Sequence, residues 1–192
     1  MIRDEDLALF NAAMAITLPR EGEFVNDRLD PGGATNFGIS IRWLKSIGDF
    51  DGDGRLDGDL DGDGDVDIDD IRALTPETAR QFYYIHFWHP YRYDLYPAGI
   101  GWKVFDATVN MGSKQSHKLL QRALRANGHR LVDDGQVGPL TRQALMASHN
   151  DIHAVLVGFK ESQAGFYRSL IAAKPYREKY RTGWLRRAYD ED

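Results

Sequence analysis

Two carboxylic acids and a hydroxyl near the N-terminus have the types and spacing for acid-assisted hydrolysis. Glu21 and Asp30 are separated by eight residues, and Thr35 follows five positions later. An enzyme that cuts a glycosidic bond needs a protonated carboxyl group beside the leaving oxygen. It commonly uses a second carboxylate to activate water or to offset charge at the anomeric carbon. Glu21 is the candidate acid, and partial burial is expected to keep it protonated. Asp30 and Thr35 are the candidates for the second role. Asn26 and Asn36 flank them as candidate substrate-binding groups. Asp106 and Asn110, four apart, share one face of an expected helix and could line a groove. Each has a plain alternative: Glu21 as a solvated loop acid, Asp30 as a turn former, Thr35 and Asn36 as partners for backbone groups, Asp106 and Asn110 as a buried network.

A second chemistry is written between residues 49 and 70, where eleven aspartates accompany a single basic residue, Arg55. Counted from Asp59, DLDGDGDVDIDD places carboxylates at positions 1, 3, 5, 9 and 12, glycine at 6 and Val66 at 8. This is the spacing of an EF-hand calcium loop, with Asp70 in place of the final Glu as in dockerin-type loops. Asp65 would offer its backbone carbonyl. A second frame opens at Asp49 (DFDGDGRLDGDL) but ends on Leu60, which cannot ligate; Asp59 or Asp61 could stand in. The candidate metal ligands are Asp49, Asp51, Asp53, Asp57, Asp59, Asp61, Asp63, Asp65, Asp67 and Asp70. One structural calcium ion is expected, with room for a second. The alternative is a solvated acidic linker.

The elements that must position these groups read as helices. Leu7, Phe10, Met14 and Leu18 predict an amphipathic helix over 5–18, ending before Pro19 and leaving Glu21 just beyond it. Asp30–Ser40 is turn chemistry with short extended pieces. Trp43, Leu44 and Ile47 suggest a short helix. Thr75-Pro76-Glu77 opens another that runs to about Trp88. Helices follow over 101–111, 113–127, from Pro139, and over 150–173. His86 and His89 lack helical metal-pair spacing and read as structural. The aromatics Phe82, Tyr83, Phe87, Trp88, Tyr91 and Tyr93 read mainly as core.

The net charge of -5 hides a division. The aspartate segment carries -10, whereas the remaining eighteen acidic and 23 basic residues give +5. A mildly basic body suits an anionic polymer. There is no cysteine, so disulfides and thiolate sites are excluded. No apolar run is long enough to span a bilayer.

The segment REGEFVNDRLDPGGATNFGIS resembles the N-terminal signature of glycoside hydrolase family 108, E-G-G-[YF]-V-N-D-P-x-D-x-G-G-A-T-x-x-G-I. FDATVNMGSKQSHKLLQRAL (105–124), DDGQVGPLTRQAL (133–145) and GWLRRA (183–188) are similar to that family's C-terminal half. Glu23 and Arg28 depart from the pattern, standing where a Gly and a Pro are usual; Glu23 is a second acid beside the first and is expected to face solvent. The resemblance implies an all-α, lysozyme-like fold with a small turn and short-strand lobe near the active site. It also implies hydrolysis of the β-1,4 bond between N-acetylmuramic acid and N-acetylglucosamine, with Glu21 as the acid. On this reading residues 1–192 form one domain, 49–70 an insert, and 101–192 a peptidoglycan-binding-like half of the same domain. Peptidoglycan glycan strands are the expected partner of a monomer that uses neither nucleic acid nor membrane insertion. The alternatives are a non-catalytic peptidoglycan-binding module and a calcium-dependent interaction module. MIRDEDLALFNAAMAI does not resemble a secretory signal peptide. The expectation is a phage-type endolysin made in the host cytoplasm, reaching the wall through a holin-type pore or dedicated export.

Overall fold

The computed structural model describes residues 4–26, 33–97 and 99–190. They form a mainly helical, lysozyme-like fold with one two-stranded sheet, as the sequence implied. Contacts divide the chain into two compact units, Met1–His86 and Phe87–Asp192. No helix among the described residues is long and apolar enough to cross a membrane.

The first unit opens with α1 (Asp4–Glu21), whose first turn holds Asp4, Glu5 and Asp6, acids that suit a helix N-terminus. Its buried stripe is Asp6, Phe10, Ala13, Met14 and Thr17. The stripe is rotated from the expected one: Leu7 is 38% exposed, and Asp6 is buried because it accepts a 2.8 Å hydrogen bond from the Tyr84 hydroxyl. The helix also runs past Pro19, so Glu21 is its last residue and not a loop residue beyond it. Proline in a final turn forfeits one backbone bond without disrupting the turns that follow, and the stop is made by Gly22 at φ +77°.

Strands β1 (Thr35–Asn36) and β2 (Ile39–Ser40) pair antiparallel, Thr35 with Ser40 and Asn36 with Ile39. Ser40 then caps α2 (Ile41–Ile47) by accepting from the Trp43 amide at 3.2 Å. The aspartate segment ends in α3 (Ile68–Ala73), a helix the sequence reading did not anticipate. Asp67 and Asp70 start it with a reciprocal capping box. Thr75 and Pro76 open α4 (Pro76–Phe82) as read. The expected continuation to Trp88 is not α-helical but a π-helical stretch, Tyr83–Trp88, which carries the chain into the second unit. The wider turn lets three consecutive rings, Phe82, Tyr83 and Tyr84, all be buried.

The second unit contains α5 (Gly101–Met111), α6 (Ser113–Ala126), α7 (Pro139–Ala147), α8 (Ile152–Ala173) and α9 (Arg181–Tyr189). Helix α6 packs on both α5 and α8, and α8 on α9. Leu119, Leu120 and Leu124 of α6 and Val155 and Phe159 of α8 are fully buried. On the other side of α8, Ala164 and Tyr167 join Ala188 of α9 in a cluster flanked by Trp184 and Leu185. Two charged residues of α5 sit inside this apolar setting. Asp106 accepts two 3.0 Å bonds from the Arg187 guanidinium, and Lys103 donates to the Arg187 carbonyl and the Asp190 carboxylate. Burial pushes the Lys103 ammonium below its ordinary pKa.

His117 on α6 is 1% exposed. Its Nδ1 faces the Gly135 carbonyl at 3.3 Å, which can only accept, so Nδ1 carries the proton. Nε2 then accepts from the Tyr93 hydroxyl at 2.8 Å. Burial, outweighing that carbonyl, lowers the His117 pKa from 6.5 to about 4. The unfolded chain therefore binds the extra proton first as pH falls. Stability from this group is complete above pH 6.5 and is lost between there and about pH 4, by about 3 kcal/mol. Urea unfolding of the wild type and His117→Gln across that range should show the variant lacking this part of the decline. Parallel curves for the two proteins would refute it.

Candidate active site

Glu21 reaches its place because α1 ends there. Its side chain is half-buried and packs against the turn of the β-hairpin. A Cβ added to Gly38 would stand 2.5 Å from Glu21 Oε2, 2.9 Å from Glu21 Cβ and 2.6 Å from the Tyr83 hydroxyl. Glycine is required on two counts, since Gly38 also has φ +77°. Phe37 before it has φ +49°, so both central residues of this two-residue turn are left-handed, the mark of a type I′ hairpin. Phenylalanine is a poor choice there and costs about 1–2 kcal/mol. Tyr83 holds it by donating a 2.8 Å hydrogen bond to the Phe37 carbonyl. The tyrosine thus fixes the turn against which the acid rests.

The lobe is closed from behind. Val25 and Thr35 exchange two 2.8 Å backbone bonds, tying the segment after Glu21 to β1. Thr35 is half-buried with its backbone paired on both sides. The side-chain amide of Asn36 donates to the Ile71 carbonyl at 3.0 Å and that of Leu74 at 3.5 Å. The Arg72 guanidinium lies 5.6 Å from the Phe24 ring centroid. Helix α3 therefore grips both arms of the lobe. A cavity of about 360 Å³, whose lining includes Gly22, Glu23 and Phe37, lies in the same unit. Glu23 is exposed, as expected.

These contacts sort the candidates. Asn36, expected to bind substrate, is instead buried with its amide occupied by α3 carbonyls, so it is a clamp. Asp106, also expected to bind substrate, is 0% exposed and bound to Arg187, which corrects that expectation; its carboxylate has no open side. Asn110, in the same unit, is exposed, and its Oδ1 accepts from the Tyr167 hydroxyl at 2.7 Å. Asn26 is exposed. Asp30 lies outside the described residues. Tyr83 read only as core and Phe37 was not singled out, because an aromatic residue carries no periodic sign of a turn contact.

The aspartate segment is a doubled turn. In each half the position-1 carboxylate, Asp49 or Asp59, accepts from the amides at positions 4 and 6: Gly52 and Gly54, or Gly62 and Gly64. Asp51 and Asp61 accept from the amide two residues on, and so do Asp53 and Asp63. The halves close differently. Asp70 accepts from Leu60 in the second, whereas Asp57 accepts from Phe50 in the first. Asp59 and Asp61 both accept amide bonds within the second frame. Carboxylate oxygens converge within 4.8 Å in three groups: Asp49, Asp51 and Asp53; Asp59, Asp61 and Asp70; Asp65, Asp67 and Asp70. Loss of hydration raises the Asp61 pKa, and the Asp63 charge raises that of Asp65. All-oxygen donors in this density are the chemistry of a hard divalent cation such as calcium. The segment is anchored in its unit. Gly58 abuts Leu44, where a Cβ would meet the Leu44 carbonyl at 2.8 Å. Phe50 meets the His86 ring at 4.6 Å, and His86, ringed also by Trp43 and Phe82, has its pKa lowered by burial.

A lysozyme-like helical fold that sets a carboxyl group at a helix end against a glycine hairpin is suited to acid-assisted hydrolysis. The chain belongs to the family described as Glycosyl hydrolase 108, whose model matches residues 14–112. Residues 115–189 match a second model, "Predicted Peptidoglycan domain". It is thus a glycoside hydrolase by family, with peptidoglycan as its partner. No curated protein matches it significantly. Among solved structures it shares the fold of SagA from Brucella abortus, at 24% identity and a TM-score of 0.70, over 96% of this chain and 92% of that one.

Gly38→Ala should push Glu21 aside and lower turnover by about 100-fold, since displacements near 1 Å cost about that much. Thermal unfolding would shift by only a few degrees. Full activity in a wall-turbidity assay would show that the Gly38 contact does not position the acid.

Proposed function

We propose that the protein is an N-acetylmuramidase, cutting the β-1,4 bond between N-acetylmuramic acid and N-acetylglucosamine, with Glu21 as general acid. The placement of the Glu21 carboxyl group, on a half-buried side chain against the Gly38 face that the Tyr83 hydroxyl also approaches, carries this reading. Glu21 delivers its proton to the leaving glycosidic oxygen. Asp30 and Thr35 supply the second group, which directs water or offsets charge at the anomeric carbon. Tyr83 is a positioning residue that holds the turn under the acid.

Glu21→Gln keeps the shape of the side chain and removes the transferable proton. Wall lysis should fall by about 10²- to 10⁴-fold with an unchanged melting temperature. Mass spectrometry of the products should find muramic acid at the new reducing ends. Glucosamine at those ends would reassign the bond, and full activity of the Glu21→Gln variant would remove Glu21 from the mechanism.

Calcium completes the proposal as a structural ion. Asp59, Asp61, Asp63, Asp67 and Asp70, with the Asp65 carbonyl, would hold one ion, and Asp49, Asp51, Asp53 and Asp57 a second. Asp70 sits at the start of α3, and α3 clamps the lobe through Asn36 and Phe24. Offsetting part of the charge of eleven crowded aspartates would firm that helix and, through it, the hairpin. Calorimetric titration should show calcium binding that Asp59→Ala and Asp70→Ala weaken, together with a rise in melting temperature. Absence of heat at millimolar calcium would eliminate the ion.

A further inference from the structure

One cavity lies wholly in the second unit. It is a groove of about 710 Å³ between the end of α6, the irregular segment 129–138 and the start of α7. Its lining holds more chemistry than packing requires. Val132 is 75% and Leu140 70% exposed on it, an unusual display of aliphatic surface. Arg125 on its wall is paired with Asp133 at 3.1 Å. Arg130 has no ion-pair or hydrogen-bond partner among the described residues. Asp134 is held anionic, its pKa lowered first by the Gln121 amide and then by the Gln136 N–H. Both bonds fall on Oδ1, leaving Oδ2 without one. Buried Gln121 fixes this floor, donating also to the Gln136 carbonyl and accepting from the Gly135 amide. Finally, the backbone groups of Arg130, Leu131 and Val132 make no hydrogen bond among the described residues. An open run of backbone beside a groove is a template for an extended peptide.

We infer that this groove binds the stem peptide of peptidoglycan, not its glycan. The inference rests on peptidoglycan being the substrate. In that polymer the lactyl carboxylate of muramic acid is consumed in an amide bond, so the glycan is neutral. Free charge resides on the peptide, whose acidic residues offer carboxylates and whose diamino acid offers an ammonium group. Arg130 takes a carboxylate, Asp134 Oδ2 takes the ammonium, and Val132 and Leu140 cover alanine methyl groups. The open backbone pairs with the peptide's own.

The test titrates the full-length wild type with a synthetic stem tetrapeptide, L-Ala–γ-D-Glu–meso-diaminopimelate–D-Ala, followed by amide NMR shifts and calorimetry. The peptide holds no glycosidic bond, so its binding is independent of whether Glu21 is the acid. Saturable shifts centred on Arg130–Val132 are expected, and Arg130→Glu and Leu140→Ser should each weaken binding by about tenfold or more. Three results would overturn the proposal: no saturable binding, equal shifts from N-acetylchitotetraose at the same amides, or equal binding of tetraglutamate. The last would mark a plain anion patch.

Discussion

The geometry of the first unit depends on one close approach, the Glu21 side chain against the Cα of Gly38. No other residue type leaves room for the carboxylate and the Tyr83 hydroxyl on that face, and none adopts the turn as readily. Phe37 makes the point sharper. Its left-handed backbone costs energy that a loose loop would shed by relaxing, yet the Tyr83 bond to its carbonyl holds it. The strain is located beside the Glu21 carboxyl group. Tyr83 itself opens the π-helical stretch, so a local widening of one helix and a strained turn in the hairpin meet at the same hydroxyl.

The second unit solves a different problem by a different means. A C-terminal helix has few neighbours and frays easily. Here α9 is tied down by Lys103 and Asp106, both wholly buried on α5. Burying such charges is expensive, and it is offset here because Asp106 meets the Arg187 guanidinium and Lys103 meets the Arg187 carbonyl and the Asp190 carboxylate. Leaving any one unpaired would cost more than the network contributes. Such ties specify which helix docks, more than they add stability.

Much of this was legible in the sequence, and the parts that were not have physical reasons. The positions of α2, α4, α5, α6, α7 and α8 followed from apolar spacing and from the Thr75, Pro76 and Pro139 starts, whereas α9, in a basic and aromatic tail, did not. Glu21 stood out as a candidate by its segment, not by its spacing to Asp30. The rotation of α1 was hidden because Asp6 reads as a surface acid until Tyr84, 78 positions away, supplies its partner. Asn36 and Asp106 looked like ligand contacts for the same reason: a polar side chain on an expected cleft face looks identical whether it meets sugar, a helix end or an arginine. Helix α3 was concealed inside a run of aspartates, where helix propensity is poor, and it exists through the Asp67–Asp70 capping box.

The aspartate segment shows how charge is confined when a body must approach an anionic polymer. Its -10 would repel peptidoglycan carboxylates were it spread over the surface, whereas the rest of the chain is positive by five. Concentrating the acid into two tight turns, where most of the carboxylates bond backbone amides, leaves the field of the remainder attractive. It also gives α3 a rigid start, and α3 is the element that holds Asn36 and Phe24. The same residues that look like excess charge are thus in mechanical series with the hairpin under Glu21: Asp70 caps α3, α3 clamps Asn36, and Asn36 sits one residue before the strained turn. A change in order at the aspartates has a short covalent and hydrogen-bonded route to the acid.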